Sequence, residues 1–438
     1  MERSPFFRRK YHGIDLARLE LARLPPCRKE ELIAHFDETV TDRRIHRNEL
    51  EQFLAHPGNL GRWYLGRYAV SHTSGSQGPP MLIVQDHRCL EVMFALLSSR
   101  ANATGRPGIV EGLRRWRSPA RVAIITMRRG FYPSGAAYEF MPEFVGPYAQ
   151  VLRLSSMQSD LIERLNEFQP NILVGYASVL EALTLQSHRL RLSCLRQIAN
   201  SCEQLTVRAR TRIREAFDVP LLDHYGIGEC LLLSEGCPTD VGAHVNADWA
   251  ILEVVDEQFR PVPRGQVGAK VLITNLANTV QPIIRYEVED CLVMADRPCA
   301  CGSRLPRIER IEGRAAEVFW TREQDRYRLI SGVLFHNVAD SLHEIQEWQA
   351  VQHERNRIEV RLQLLPGARL SPETVCHAFQ QGLQESELPQ NVAVDVHIVT
   401  ALTSDSTTGK FRRMINCVGP PDDLRRTKSC QSQAADPT

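Results

Sequence analysis

The chain has 438 residues, 43% hydrophobic and 24% charged, the composition of an ordinary globular protein with material for a large core; it excludes a disordered or fibrous chain. At ~150 residues per domain the length allows two or three domains. Lysine plus arginine (53) balances aspartate plus glutamate (52) at a formal net charge of +1, so nothing in the bulk charge favours nucleic acid over a small molecule.

In chain order, the first sixty or so residues read as short helices broken at Pro25 and Pro26, with Leu16, Leu19, Leu21 and Leu24 as an apolar face. This is a helical packing appendage over residues 1–66. Arg8, Arg9 and Lys10 are not followed by the apolar core of a signal peptide, and stretches such as Leu90 to Leu97 fall short of the ~18 to 20 residues of a membrane span. The protein therefore reads as cytoplasmic, with neither a membrane nor a nucleic acid as partner. From Tyr68 onward, short β-rich runs alternate with amphipathic stretches: Val122 to Met127 and Ile172 to Val174 as strands, Asp160 to Phe168 and Ser178 to Arg189 as helices. Such alternation predicts an α/β fold with a covered sheet. After Pro220 come longer β-like runs at Ala250 to Val255, Ala269 to Thr274 and Pro282 to Tyr286. Beyond Gly313, Arg357 to Leu365 and Val392 to Val399 alternate like strands around a helix at Pro372 to Leu383, which suits a small α+β domain. The polar stretch from Pro420 to Thr438 is expected to be a disordered tail.

Five segments could carry chemistry. The first is Thr73-Ser74-Gly75-Ser76-Gln77-Gly78, between the apolar runs Tyr68 to Val70 and Met81 to Val84. Its glycines allow a tight turn with N–H groups facing an anion, and its hydroxyls can add hydrogen bonds to phosphate; the alternative is a solvated Ser/Gly turn. No Gly-Lys-Ser/Thr follows, so it is not a Walker loop. The second is Asp223-His224-Tyr225-Gly226-Ile227-Gly228-Glu229, after the apolar run Val219 to Leu222. It is not a dinucleotide fingerprint, because Leu231 holds the third glycine position. A strand end that turns through two glycines into an acid is nonetheless a usual place for a nucleotide, and Glu229 could hold Mg²⁺ or simply be a surface acid. Third and fourth come Arg285-Tyr286-Glu287-Val288-Glu289-Asp290 and Gly313-Arg314, in which Asp290 could accept from sugar hydroxyls and an arginine could pair with phosphate. The fifth is Gly409-Lys410. The twelve cysteines, without a secretion signal, suggest reduced thiols, and Cys237, His244, Cys299 and Cys301 form a candidate metal cluster.

Taken in order, hydroxyl/Gly loop, Tyr-Gly-x-x-Glu, Arg-Tyr-x-x-x-Asp, Gly-Arg and Gly-Lys, the sequence resembles the adenylate-forming ligases, and most closely the branch of phenylacetate-CoA ligase and similar capsule-biosynthesis proteins. Leu24-Pro25 followed by Lys29, Gly175-Tyr176-Ala177-Ser178 and Ser201-Cys202-Glu203-Gln204-Leu205-Thr206 support it. The resemblance implies a large α/β ATP- and acid-binding domain over residues 1–314 and a small mobile lid domain over 315–419, hinged near Ala315 to Glu317. Thr73, Ser74, Gly75, Ser76 and Gly78 would wrap the triphosphate of ATP. Glu203 and the stretch His224, Tyr225, Gly226 onward would border adenine, Glu229 would bind Mg²⁺, Asp290 would hold the ribose, Arg314 would contact ribose or phosphate, and Lys410 would bridge the substrate carboxylate and the α-phosphate. It also implies a structural Zn²⁺ on Cys237, His244, Cys299 and Cys301, since three thiolates and one imidazole fill a tetrahedral site. The expected activity is ATP-dependent conversion of a carboxylic acid, aryl by preference, to an acyl-adenylate and then transfer to CoA; the alternatives are an amine, hydroxyl or carrier-protein acceptor in a biosynthetic pathway, or a nucleotide-binding relative without turnover. A homodimer is the expected form if the chain assembles as such relatives often do. Three departures stand out: Pro79 where a lysine usually follows the loop, Val288-Glu289 before Asp290, and Ala316-Glu317 after the Gly-Arg pair.

Overall fold

The computed structural model describes residues 2–15, 20–73, 79–100, 119–126, 130–156, 158–205, 207–231, 233–239, 241–314, 319–323, 326–330, 332–342, 344–385, 391–402 and 413–418. Near the N-terminus, Pro5–Lys10 forms a helix with Ser4 as its N-cap and Pro5 in its first turn, where a missing N–H costs nothing. Phe6 and Phe7 on this helix are buried against Leu24, Cys27, Ile283 and Tyr286. The expected leucine face is only partly present: Leu24 is buried, but Leu21 starts a single 3₁₀ turn, Leu21–Arg23, and Leu16 and Leu19 lie outside the described residues. The two prolines interrupt backbone donation, so the chain extends and pairs with a strand instead.

Strands β1 (Tyr68–His72) and β2 (Leu82–Asp86) form an antiparallel hairpin whose connection carries the hydroxyl/Gly segment. The helix His87–Arg100 follows. Strands β3 (Ala120–Thr126), β4 (Ala149–Ser155), β5 (Ile172–Gly175), β6 (Gln197–Asn200) and β7 (Leu221–Asp223) then build one all-parallel sheet in the order β4-β3-β5-β6-β7. Parallel neighbours require crossovers, here the helices Leu161–Phe168, Ala177–Thr184 and Val207–Phe217. Ile162, Leu165, Val179, Leu180, Leu183 and Ile213 from these helices close over Ala123, Ile125, Leu173 and Ile198 of the sheet. The second helix ends at Thr184 rather than Arg189. Its apolar stripe stops at Leu183, the Thr184 hydroxyl turns back onto the Glu181 carbonyl at 2.7 Å, and Leu185 is left exposed.

The next segment is β-rich, as its composition suggests. Strands β8 (Ser234–Gly236) and β9 (Ala243–Val245) make a short hairpin; β10 (Ala250–Val255), β11 (Lys270–Asn275) and β12 (Ile283–Val288) make a meander. Strands β13 (Asp290–Met294) and β14 (Arg307–Arg314) complete a sheet in the order β13-β14-β9-β8. The N-terminal segment is stitched to this region. Cys27 exchanges backbone hydrogen bonds of 2.9 Å with Arg285 and Glu287, and the buried Arg285 guanidinium donates to the carbonyls of Ala22 and Leu24 and pairs with Glu253 at 3.1 Å.

Past Gly313, β15 (Phe319–Glu323) pairs with β16 (Arg326–Ile330), and β17 (Ile345–Glu354), β18 (Arg357–Leu364), β19 (Ala393–Ile398) and β20 (Met414–Asn416) form a mixed sheet in the order β19-β18-β17-β20. Phe319, Phe335, Trp348 and Phe379 centre a separate core, with the Phe335 and Phe379 rings 5.2 Å apart. The architecture is α/β with a small α+β unit at its C-terminal end. The stretch from Pro420 to Thr438 lies outside the described residues. Among the described residues, no helix is long and apolar enough to cross a membrane.

Candidate active site

A cavity of about 1320 Å³ opens at the carboxyl ends of β3, β5, β6 and β7 and is bounded on its other side by β12, β13 and β14. Ligands of open α/β sheets bind at this edge because loops leaving the strands diverge there. Thr73, Glu203, His224, Tyr225, Gly226, Glu229 and Asp290 all line it, so seven residues from distant parts of the sequence meet at one place. Lys29, Lys270 and Tyr286, to which the sequence reading gave no role at the site, line it too.

Two hydrogen bonds between tyrosines and acids organise the side of the cavity formed by β7, β12 and β13. The Tyr225 hydroxyl donates to Asp290 Oδ2 at 2.7 Å, and the Tyr286 hydroxyl donates to Glu229 Oε1 at 2.9 Å. Asn275 Nδ2 fixes the Glu229 carbonyl at 3.0 Å. Burial pushes the Glu229 pKa up, partly offset by the Tyr286 hydroxyl and the positive charge of Lys29. A carboxylate in that condition gains from a cation beside it. Gly226 is needed sterically: a Cβ there would lie 2.3 Å from the Leu231 carbonyl oxygen. Asp290 opens β13 directly opposite Arg314 at the end of β14, so the ladder brings the aspartate and Gly-Arg motifs side by side.

Other predicted residues are committed to neighbours. One Glu203 oxygen accepts the Ser178 N–H at 2.9 Å at the start of the helix after β5. Thr73 Oγ1 accepts the Met81 N–H and Thr73 N–H donates to the Met81 carbonyl, both at 2.9 Å, which clamps the base of the β1–β2 connection. His224 Nδ1 stands 2.8 Å from the buried Glu235 carboxylate and 3.1 Å from the Gly236 N–H. Burial alone would lower the His224 pKa, but Glu235 outweighs it and the net direction is upward. Ser74, Gly75, Ser76, Gly78 and Lys410 lie outside the described residues, as does the predicted hinge at Ala315 to Glu317.

The predicted cysteine cluster assembles. The ligand atoms of Cys237, His244, Cys299 and Cys301 all lie within 4.8 Å of one another. Cys237 follows β8, His244 is on β9, and Cys299 and Cys301 sit in the β13–β14 connection, where Gly302 at φ 77° supplies the left-handed turn. Cys237 Sγ is 3.4 Å from Cys299 Sγ and Cys301 Sγ is 3.2 Å from His244 Nε2. On its other nitrogen, His244 Nδ1 lies 3.3 Å from the Leu305 carbonyl, which holds the proton there and leaves Nε2 to face the thiols.

A parallel sheet with this cavity at its carboxyl edge, and these motifs in this order, make the chain similar to the adenylate-forming ligases. In sequence it is 23% identical over 345 residues to the phenylacetate-coenzyme A ligase of Thermus thermophilus, spanning 74% of this chain and 69% of that one. In fold it is similar to 2-hydroxyisobutyryl-CoA ligase in the postadenylation state, at TM-score 0.67 and 19% identity over 97% of this chain and 87% of that one. The amide bond synthetase McbA from Marinactinospora thermotolerans shares the fold at TM-score 0.54 and 14% identity, over 76% and 65% of the respective chains. No family model matches the chain.

Proposed function

We propose that the protein activates a carboxylic acid with ATP, releasing pyrophosphate, and passes the acyl group from the resulting adenylate to CoA. The observation that carries this reading is the meeting of Thr73, His224 to Glu229 and Asp290 around one cavity at the carboxyl edge of the parallel sheet. Asp290, oriented by Tyr225, takes the ribose hydroxyls. Glu229, buried and oriented by Tyr286, takes the Mg²⁺ that accompanies ATP, and Ser74, Gly75, Ser76 and Gly78 take the phosphates. A carboxylate oxygen of the acid forms the new bond to the α-phosphorus as the bond to the bridging oxygen of the β-phosphate breaks, and the electron pair leaves with pyrophosphate. Both reactants are anions, so a fixed ammonium lowers the barrier, the role assigned to Lys410 with Arg314 beside the nucleotide. The residues from 315 onward act as a lid that brings Lys410 in for adenylation and turns about Ala315 to Glu317 for acyl transfer.

Zinc completes the reading. Three thiolates and one oriented imidazole suit a closed tetrahedral site that ties the β8–β9 hairpin to the β13–β14 connection, with no open position for chemistry. Metal analysis of protein purified without chelators is expected to give one zinc per chain, and Cys299→Ser to lose it and lower Tm; a zinc-free protein of unchanged Tm excludes the site.

A second reading keeps adenylation and changes the acceptor to an amine, favoured by the fold shared with an amide bond synthetase. Acid-dependent exchange of labelled pyrophosphate into ATP tests the first half-reaction, and added CoA or amine then separates the acceptors by product mass.

A further inference from the structure

The cavity has two sides, set by the strand order. His224 to Glu229 and Asp290 stand over β7 and the neighbouring β13–β14 pair, whereas Tyr132, Ser134, Tyr176, Ser201 and Cys202 follow β3, β5 and β6. Thr73 lies between them: its methyl would sit 3.2 Å from a Cβ at Gly228, while the ring of the preceding His72 meets Tyr132 edge-on at 5.2 Å. If the nucleotide occupies the first side with its phosphates at Thr73, the second side is left for the acid.

The walls of that second side restrict the acid. Tyr132, 39% exposed, and Tyr176 line it with aromatic rings, which suit a planar group. One Glu203 oxygen accepts from Ser178 N–H, and towards β7 Arg210 pairs with Asp223 at 3.2 Å. Neutral hydrogen-bonding groups are abundant by contrast. Ser134 Oγ and the Tyr176 hydroxyl lie 3.4 Å apart, a spacing at which either can turn to a ligand, and the Cys202 thiol sits 3.7 Å from Ser201 Oγ on a backbone held at φ 69°. A left-handed, non-glycine residue lining a cavity is the kind of strain that a ligand site retains.

We propose that the acid is an aromatic carboxylic acid whose ring carries a neutral hydrogen-bonding substituent, a hydroxyl or an amino group, read by Ser134 and Tyr176. The proposal rests on the adenylation reading above. It selects against unsubstituted rings, because the Ser134–Tyr176 pair uses one hydroxyl proton between its members and would turn the other towards carbon.

The test is pyrophosphate exchange by the full chain with benzoate and phenylacetate against their ring-hydroxylated and ring-amino counterparts. Substituted acids are expected to show kcat/KM about tenfold or more above the parent acids, and Ser134→Ala with Tyr176→Phe to bring that ratio close to one. Equal kcat/KM in the native protein, or a ratio unmoved in the double variant, overturns the ring reading while leaving adenylation intact. If no acid supports exchange, adenylation itself falls. The ring reading is then decided by calorimetric binding of the same acids, where a preference for substituted rings that the double variant abolishes sustains it and its absence overturns it.

Discussion

In the proposed function Glu229 is the residue that takes the cation. It is 8% exposed, accepts a hydrogen bond from Tyr286 and is pushed towards its neutral form by burial, so a divalent cation at its carboxylate would restore a charge that the protein alone disfavours. Glu229→Gln keeps the shape and the Tyr286 contact but removes the charge. It is expected to lower pyrophosphate exchange about 100-fold, the scale of losing one electrostatic partner of a reacting centre, with unaltered circular dichroism. Exchange within threefold of the native rate at all Mg²⁺ concentrations would show that the metal is held elsewhere.

At the scale of elements, the β8–β9 hairpin controls both the cysteine cluster and the wall behind His224. Gly242 in its turn has φ 115°, and a Cβ there would lie 2.3 Å from the Ile308 carbonyl oxygen on β14. Gly242→Ala therefore combines left-handed strain with a backbone clash, and is expected to cost about 3 kcal/mol in denaturant unfolding; a cost below about 0.5 kcal/mol would mean that the hairpin does not press on β14. This hairpin was also among the elements least legible in sequence. Strands β3 and β5 show as apolar runs between turn residues, whereas Ser234–Gly236 is a Ser-Glu-Gly segment buried only because Tyr225, His224 and Asp223 pack on it. The motif order revealed Glu229 and Asp290, and the C-x-C-G spacing revealed the thiol cluster. What it could not reveal was that the tyrosine of each motif bonds the acid of the other, Tyr286 to Glu229 and Tyr225 to Asp290, since those pairs are 57 and 65 residues apart and are made by sheet packing rather than by any local pattern.

At the scale of the whole molecule, the near-zero net charge hides strong local pairing, and the unit beyond Gly313 carries a good instance. Arg361 holds Glu359 with hydrogen bonds of 2.7 and 2.9 Å, and His353 adds another at 2.7 Å, lowering the Glu359 pKa from 4.5 to about 2. Because the folded value is depressed, the carboxylate contributes stability above pH 4.5 and loses it as pH falls towards 2. Glu359→Gln should flatten that part of the acid limb of stability, leave stability above pH 5 lower than native, and converge with the native protein near pH 2; parallel curves throughout would contradict the pairing. The proposed adenylation needs two structural units to act on one acid and one nucleotide. It is tested most directly by acid-dependent ATP–pyrophosphate exchange in the native chain and in Lys410→Ala, both still binding ATP. Exchange is expected to need an acid in the native protein and to fall at least 100-fold in the variant; exchange that is absent from the native protein with every acid, or equal in the two, would rule out this adenylation.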